Sequence, residues 1–179
     1  MEITLEVCRV ADNRNALEHY FQWWAGKTIH EKHMFPKTAE ELKREALIAV
    51  FVVMPECGVI AAAGIFPVKG KEVSAALFDG KRVVELGSNY ISPEWRQQGI
   101  GTTLLIERIR LANENGWCPT SVTTNPVMRH VFREVGGIDM DSSACYSRLK
   151  DLLCVCSEME RIACRCCSFT KSAAWIFNS

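Results

Sequence analysis

The sequence lacks the charge imbalance that would indicate a nucleic acid or an anionic membrane as a partner. It contains 21 Lys and Arg residues against 21 Asp and Glu residues, so its formal net charge is zero. Proteins that bind phosphate backbones or acidic lipid surfaces usually carry a clear excess of basic charge. We therefore expect neither nucleic acid nor a membrane surface among its partners.

Long hydrophobic runs and a leader-like N-terminus are also missing. The longest apolar stretches, Ala46–Met54 and Val59–Phe66, are each much shorter than the ~20 residues that span a bilayer. The first ten residues, MEITLEVCRV, show no basic region followed by an apolar core, as a signal peptide would. We expect a cytoplasmic protein that forms one domain over residues 1–179, because 48% of the residues are hydrophobic and no linker or repeat divides them.

Cysteine, in contrast, is abundant. Six of the nine cysteines lie in the C-terminal segment 142–179, namely Cys145, Cys154, Cys156, Cys164, Cys166 and Cys167. In a chain without an export signal, cysteines are read as thiols or metal ligands before disulfides. Cys154, Cys156, Cys164 and Cys167 have spacings that suit one structural zinc ion. Alternatively, residues 147–158 form a helix in which Cys156 is a small buried side chain.

Hydrophobic spacing predicts an α+β or mixed α/β fold, with helices on the faces of one mostly antiparallel sheet. Two apolar runs, 47–54 and 59–66, flank a proline-glycine turn and predict a hairpin. Asp79-Gly80 predicts a second hairpin. Thr38 opens a capping box that starts a short helix. Gly26 is expected to end the helix before it.

The second half of the chain predicts a helix, a strand, another helix and a final strand. The long helix that follows Gly101 has an apolar side and a charged side, and the side chains expected to face outward are Glu107, Arg108, Arg110 and Glu114. A short strand over 120–124 leads to a helix with Asn125 as its cap and Pro126 as its first residue. The last strand is expected at 173–177.

A turn before that long helix is suited to an anion. Residues 96–101 read Arg-Gln-Gln-Gly-Ile-Gly, and the two glycines allow a positive φ and a close approach of the backbone. Free N–H groups and the positive end of the dipole meet at a helix N-terminus, where both favour a phosphate. Arg96 adds a positive charge beside them.

Two common phosphate-binding motifs do not fit this turn. A P-loop requires a lysine followed by serine or threonine after its second glycine, and here Thr102 and Thr103 follow Gly101. A dinucleotide fingerprint requires glycine or alanine where Leu104 stands, and an acidic residue about 20 residues further on. The strand over 120–124 contains no such acid.

The segment from Ile91 to Gly101, Ile-Ser-Pro-Glu-Trp-Arg-Gln-Gln-Gly-Ile-Gly, followed by an amphipathic helix, resembles the acyl-CoA motif of the GNAT superfamily of N-acetyltransferases. Asn125 and the later segment 131–137, Val-Phe-Arg-Glu-Val-Gly-Gly, resemble the family's second motif. The order of the predicted elements is similar as well, so the resemblance covers roughly residues 1–140.

The resemblance implies acetyl-CoA as the donor, with its pyrophosphate on the backbone amides of 97–102 and its pantetheine arm beside Asn89–Ile91. The coenzyme-binding residues implied are Asn89, Tyr90, Ile91, Arg96, Gln97, Gln98, Gly99, Ile100, Gly101, Thr102, Asn125 and Phe132. For Asn125, a helix cap is an equally good interpretation.

Acetyl transfer to an amine requires an uncharged amine, a stabilised oxyanion and protonation of the thiolate. Glu85 is the candidate base by resemblance, and a solvated or ion-paired strand carboxylate is the alternative. Backbone N–H groups near Tyr90 and Ile91 would polarise the thioester. Phe132 stands where many family members carry a tyrosine acid, so Tyr90, Tyr146 or water would supply the proton.

The acceptor is the least defined partner. By resemblance, Phe21, Trp24 and Phe35 fall where the family forms the wall of the acceptor site, although Phe21 and Trp24 also lie on the apolar face of the first helix, where spacing favours core packing. Trp23 and Phe35 are expected to be the more exposed aromatic residues of this site. The acceptor is expected to be a primary amine of a small molecule or a peptide, and monomer and homodimer are both open. Two other functions compete with catalysis: a non-catalytic acyl-CoA-binding or regulatory module, and a metal-dependent sensor formed by the C-terminal cysteines.

Overall fold

The computed structural model describes residues 3–9, 12–31, 34, 36–68, 81–123, 125–139 and 173–177. The chain divides into two compact units: residues 1–67 with 86–108, and residues 68–85 with 109–179. The predicted hairpin at Asp79-Gly80, together with Phe35, Tyr146 and the six C-terminal cysteines, lies outside the described residues.

The first unit contains three antiparallel strands and the second half of a fourth. These are β1 (Thr4–Arg9), β2 (Ile48–Met54), β3 (Gly58–Pro67) and β4 (Arg82–Ile91), adjacent in that order. β2 and β3 pair antiparallel across a turn at 55–57, so the predicted hairpin is confirmed. Every residue of β2 except Val53 is buried, because a strand covered on both faces must be apolar throughout.

Helix α1 (Glu18–Thr28) packs its aromatic face on β2. The rings of Phe21 and Trp24 lie 5.3 and 5.8 Å from that of Phe51. The expected end of this helix at Gly26 is wrong. The buried Thr28 closes the helix instead, because its hydroxyl donates to Ala25 O and accepts from the backbone N–H of Lys37.

Helix α2 (Ala39–Glu45) begins at the predicted capping box. The backbone N–H of Glu41 donates to the Thr38 hydroxyl, and the Glu41 carboxylate accepts from the backbone N–H of Thr38. These hydrogen bonds also hold the pKa of Glu41 below its usual value. Two N–H groups that a helix start leaves unpaired are thereby satisfied.

Replacing Thr38 by alanine should lower the free energy of unfolding by about 1 kcal/mol, because one N–H of the first turn loses its acceptor. Urea denaturation measures the change, with Thr38→Ser as the control that keeps the hydroxyl. Equal stability of the alanine variant and the wild type would contradict this role of the cap.

Helix α3 (Ile100–Glu114) follows the glycine turn and passes from the first unit into the second. Leu104, Leu105 and Ala112 were expected on its apolar side and are buried, whereas Ile109, also expected there, is half-buried. Arg108 was expected to face outward, and this is wrong: the residue is 1% exposed. Its guanidinium reaches backbone carbonyls in the core, which residue spacing alone does not reveal.

The second unit is built on the first half of β4. Its strands are β5 (Trp117–Thr123), β6 (Ile138–Asp139) and β7 (Ala173–Ile176), in the order β4-β5-β7-β6, and helix α4 spans Pro126–Glu134. β4 and β5 pair in parallel from Arg82↔Trp117 to Glu85↔Thr120, whereas β5·β7 and β6·β7 are antiparallel. The mixed α+β fold with a mostly antiparallel sheet is therefore confirmed.

Candidate active site

The turn between β4 and α3 has the geometry of an anion-binding loop. After a 3-10 helix at Pro93–Trp95, Gln97 and Gly99 adopt left-handed conformations, with φ of 62° and 80°. Left-handed residues in a turn are a feature of backbone concavities that bind anions. α3 begins directly after it, with the backbone N–H of Thr103 donating to Gly99 O at 3.0 Å. The backbone N–H groups of the preceding residues in the first helical turn have no acceptor within the helix and point toward its N-terminus.

The two glycines of the turn do different things. A Cβ atom on Gly99 would meet nothing within 4 Å, so this glycine is required by its positive φ. A Cβ atom on Gly101 would lie 3.1 Å from Ile91 Cδ1, so this glycine lets the helix start approach the end of β4. The expectation that both glycines supply a positive φ holds for Gly99 alone. Gln97, which the sequence did not single out for its conformation, supplies the second.

Arg96 lies at the start of the turn and is held by three groups. Its guanidinium pairs with the Glu31 carboxylate, its Nε donates to Ile91 O at 3.0 Å, and its Cζ lies 5.9 Å from the Tyr90 ring centroid. The side chain is 46% exposed. The charge expected beside the phosphate therefore also links the end of β4 to the segment that follows α1.

Tyr90 is a buried phenol near the end of β4. It is 7% exposed, and its ring lies 5.6 Å from that of Trp23. The ammonium of Lys27 lies 5.6 Å from the Trp23 ring and 6.0 Å from the Tyr90 ring. Burial raises the pKa of Tyr90, and the Glu31 carboxylate raises it further. The phenol therefore keeps its proton at neutral pH, as a group that donates a proton must.

The described aromatic residues expected at the acceptor site differ in their surroundings, and Phe21 is fully buried against Phe51. Trp23 is half-buried beside Tyr90 and has surface to offer a ligand. Trp24 is fully buried, and its Nε1 donates to Ser88 O at 2.9 Å. Its position thus matches the alternative of core packing, and Trp23 is the better candidate for the wall. Lys27 next to Trp23 was not identified from the sequence, where it reads as an ordinary surface cation.

The other residues of the first unit that were predicted to bind the coenzyme lie on β4 or in the turn. Asn89 and Ile91 are half-buried in β4, Ile100 is buried, and Thr102 is half-buried in the first turn of α3. Gln98 is exposed, and its side-chain amide donates to Glu94 O at 3.2 Å. The segment from Asn89 to Thr102 is thus one continuous strand end, turn and helix start.

Glu85 and Asn125 belong to the second unit. Glu85 is half-buried on β4, at the last pair of the parallel ladder with β5. The neighbouring Thr120 fixes this ladder, because its hydroxyl donates to Val84 O at 2.9 Å. The side chain of Asn125 accepts from the backbone N–H of Val127 at 3.0 Å, so its role as a helix cap is confirmed.

Phe132 is a core residue of the second unit. It is 2% exposed, and its ring lies 5.7 Å from that of Trp175 and 5.2 Å from that of Phe177. The ring fills space between α4 and the final strand, and it has no proton to donate. Phe132 stands at the motif position where many family members carry a tyrosine, and in this chain it packs against apolar side chains.

Within the described ranges, no group of three or more His, Cys, Asp or Glu side chains could hold a metal ion. The cysteines of the zinc hypothesis lie outside those ranges. None of the helices in the described part of the chain combines the length and the apolar character needed to cross a membrane.

Comparison with solved structures finds proteins of similar fold. Two solved structures cover nearly the whole chain, both at 10% identity and with coverage of 98% of this chain and 99% of the other. One is a Mycobacterium tuberculosis protein in complex with CoA and NLQ, with a TM-score of 0.61. The other is a GNAT-family acetyltransferase from Staphylococcus aureus, with a TM-score of 0.59.

N-acetylglutamate synthase from Neisseria gonorrhoeae, in complex with coenzyme A and N-acetylglutamate, matches 98% of this chain at 14% identity, with a TM-score of 0.57. The match covers 35% of that longer protein. The sequence search against curated proteins gives no match. Residues 11–136 match the family described as "Acetyltransferase (GNAT) family". The chain therefore belongs to the GNAT family of acetyltransferases.

Proposed function

We propose that this protein transfers the acetyl group of acetyl-CoA to the primary amine of a small molecule. The observation that carries the proposal is the turn at 96–101, where left-handed Gln97 and Gly99 precede the N-terminus of the 15-residue helix α3. Free amides and the helix dipole there favour a dianionic group such as a pyrophosphate. The CoA-bound relatives from Mycobacterium tuberculosis and Neisseria gonorrhoeae support the same donor.

The reaction requires that the amine nitrogen attack the thioester carbonyl carbon and that the C–S bond then break. We assign Glu85 as the base that removes a proton from the ammonium, directly or through water, because only the uncharged amine is nucleophilic. Backbone N–H groups near Tyr90 and Ile91 stabilise the negative oxygen of the tetrahedral intermediate. The thiolate of coenzyme A leaves and takes up a proton.

Tyr90 is the proposed source of that proton. Phe132 has none to give, whereas burial keeps the pKa of Tyr90 raised and its phenol protonated. Asn89, Tyr90 and Ile91 would line the pantetheine arm, and the amides of 97–102 would bind the pyrophosphate. Asn125 caps α4 through its side chain. We also propose it as a ligand of the coenzyme, a role that it would have to fulfil while it keeps the cap.

For the acceptor, we favour a small amine over a peptide. The Neisseria relative was solved with N-acetylglutamate, an acetylated amino acid. In this chain, Trp23 and Lys27 offer an aromatic face and a cation beside Tyr90. An amine that also carries an apolar or anionic group would fit these side chains. The proposed compartment is the cytoplasm, where acetyl-CoA and small amines meet.

A second candidate function is acyl-CoA binding without transfer. The observation that favours it is the burial of Phe132 between Trp175 and Phe177, where a tyrosine acid would be exposed to substrate. A binding module of this kind would use the same turn for the coenzyme but would not transfer the acyl group to an acceptor.

A panel of amines and amino acids, scored by release of free coenzyme A thiol, distinguishes the two functions. We expect acetyl-CoA to raise the melting temperature of the protein, and at least one small amine to accelerate thiol release well above the rate without acceptor. Stabilisation without acceleration by any amine would indicate the binding module. An unchanged melting temperature with acetyl-CoA would contradict both functions.

A further inference from the structure

Ser88 has an unusual conformation in the middle of β4. Its φ is 51°, although the residues on both sides belong to the same strand. A non-glycine residue is less stable in the left-handed region than in an extended conformation, because its Cβ atom comes too close to the following carbonyl oxygen. Such a residue re-aims the backbone groups that follow it, as a β-bulge does. A conformation of this kind persists only where surrounding groups hold it.

Trp24 of α1 holds the carbonyl of this residue. Its indole Nε1 donates to Ser88 O at 2.9 Å. The ring is fully buried and is fixed by Phe51 and Phe66, at centroid distances of 5.8 and 6.3 Å. A buried indole N–H without an acceptor is destabilising, so this hydrogen bond ties the rotamer of Trp24 to the backbone of Ser88.

Arg108 of α3 holds the preceding carbonyl. Its Nη1 donates to Gly87 O at 3.4 Å and to Gly64 O at 3.3 Å, while its Nε donates to Leu104 O at 3.1 Å. The residue is 1% exposed, and burial lowers the pKa of Arg108 to about 9, so it remains a cation at neutral pH. Burying a cation is strongly unfavourable unless hydrogen bonds offset the loss of water. An apolar side chain would fill this space without the cost of burying a charge. It could not, however, donate hydrogen bonds to the carbonyls of Gly64 and Gly87.

We propose that Trp24 and Arg108 are positioning residues that hold Gly87 and Ser88 in this conformation, and so aim the following amides at the thioester oxygen. The inference rests on the proposed acetyl transfer. Oxyanion donors are effective only when they are fixed in advance, because reorientation during the reaction would cancel their benefit. Both side chains are buried, so each acts through the backbone of β4 and neither touches the reacting atoms.

Replacing Trp24 by phenylalanine removes the indole N–H and leaves an aromatic ring in the core. We expect kcat to fall by about ten- to a hundredfold, as misplaced oxyanion donors do, while the KM for acetyl-CoA changes by less than about twofold. Trp117→Phe is the matched control, because Trp117 is half-buried at the start of β5 and has no place in the proposed site. It should keep the kcat of the wild type.

Hydrogen exchange of the backbone amides supplies a readout that does not depend on activity. In Trp24→Phe, exchange at residues 87–91 should accelerate about tenfold or more, with little change in β1, because local opening becomes easier. Arg108→Lys should have the same two effects, since a lysine cannot reach three carbonyls in the same fork. Adding Ser88→Gly to Trp24→Phe should restore part of kcat, because glycine adopts a positive φ at little cost.

These experiments distinguish failure of the proposed acetyl transfer from failure of the positioning role of Trp24 and Arg108. If the wild type releases no thiol with any amine, the proposed function fails, and hydrogen exchange alone decides whether Trp24 and Arg108 hold the strand. Unchanged exchange at 87–91 in both variants would overturn the positioning role. So would a wild-type kcat in both variants of an active enzyme. If Trp24→Phe does not fold, Arg108→Lys carries the same test, and adding Ser88→Gly to it should restore part of kcat.

Discussion

Replacing Gly99 by glutamate is expected to weaken the binding of coenzyme A by at least about a hundredfold, or about 2.7 kcal/mol. Gly99 has a φ of 80°, so any other residue strains the turn. The new carboxylate would also stand where the pyrophosphate is proposed to bind, and like charges a few ångströms apart repel each other. Isothermal titration calorimetry measures the affinity directly.

Gly116→Glu is the matched control for this substitution. Gly116 ends α3 with a φ of 69°, it is exposed, and a Cβ atom would again meet nothing within 4 Å, as at Gly99. Both variants therefore combine the same backbone strain with the same added charge, and both should lose stability. Only Gly99→Glu should lose affinity for coenzyme A. Equal affinities in the two variants would mean that the turn does not hold the pyrophosphate.

Replacing Glu85 by glutamine should lower kcat/KM for the amine by about a hundredfold or more, the usual contribution of a positioned base. Affinity for acetyl-CoA should stay the same, because the substitution leaves the turn intact. The deficit should shrink at high pH, since a primary amine with a pKa near 10 then loses its proton without help. Steady-state rates measured across a pH series give the comparison.

Glu6→Gln is the control for the Glu85 substitution. Glu6 is also a half-buried strand glutamate, and it accepts a hydrogen bond from the Tyr20 hydroxyl at 3.2 Å. If the loss of any half-buried strand carboxylate lowers the rate, both variants should be slowed to a similar extent. If Glu85→Gln keeps the rate and pH profile of Glu6→Gln, Glu85 is an ion-paired strand carboxylate and the base must be sought elsewhere.

The features that the sequence predicts best are those set by neighbouring residues. The capping box at Thr38 and the Asn125-Pro126 helix start depend on contacts within one turn of helix, and both are present. The turn at 96–101 is likewise local, because the helix that follows it supplies the amides. A pyrophosphate site at this turn can therefore be proposed from the sequence alone, whereas the left-handed conformation of Gln97 could not be predicted from it.

Features set by distant parts of the chain could not be predicted in this way. Arg108 has the spacing of an outward-facing residue, and only the carbonyls of Gly64 and Gly87 explain why it is buried. Trp24 reads as an acceptor-wall residue until its bond to Ser88 is seen. Phe132 reads as a substituted catalytic tyrosine, whereas Trp175 and Phe177 make it part of a core. Each of these roles depends on a partner in a different element, and for each residue at least one such partner lies more than 40 positions away in the sequence.

The central claim is that the turn at 96–101 binds the pyrophosphate of coenzyme A. Calorimetric titration of the wild type and of Gly99→Glu with coenzyme A and with pantetheine, which lacks the pyrophosphate together with the adenosine 3′-phosphate, tests it most directly. We predict that coenzyme A binds at least about a hundredfold more tightly than pantetheine, and that this difference largely disappears in Gly99→Glu. Equal affinity of the wild type for the two ligands would contradict the claim.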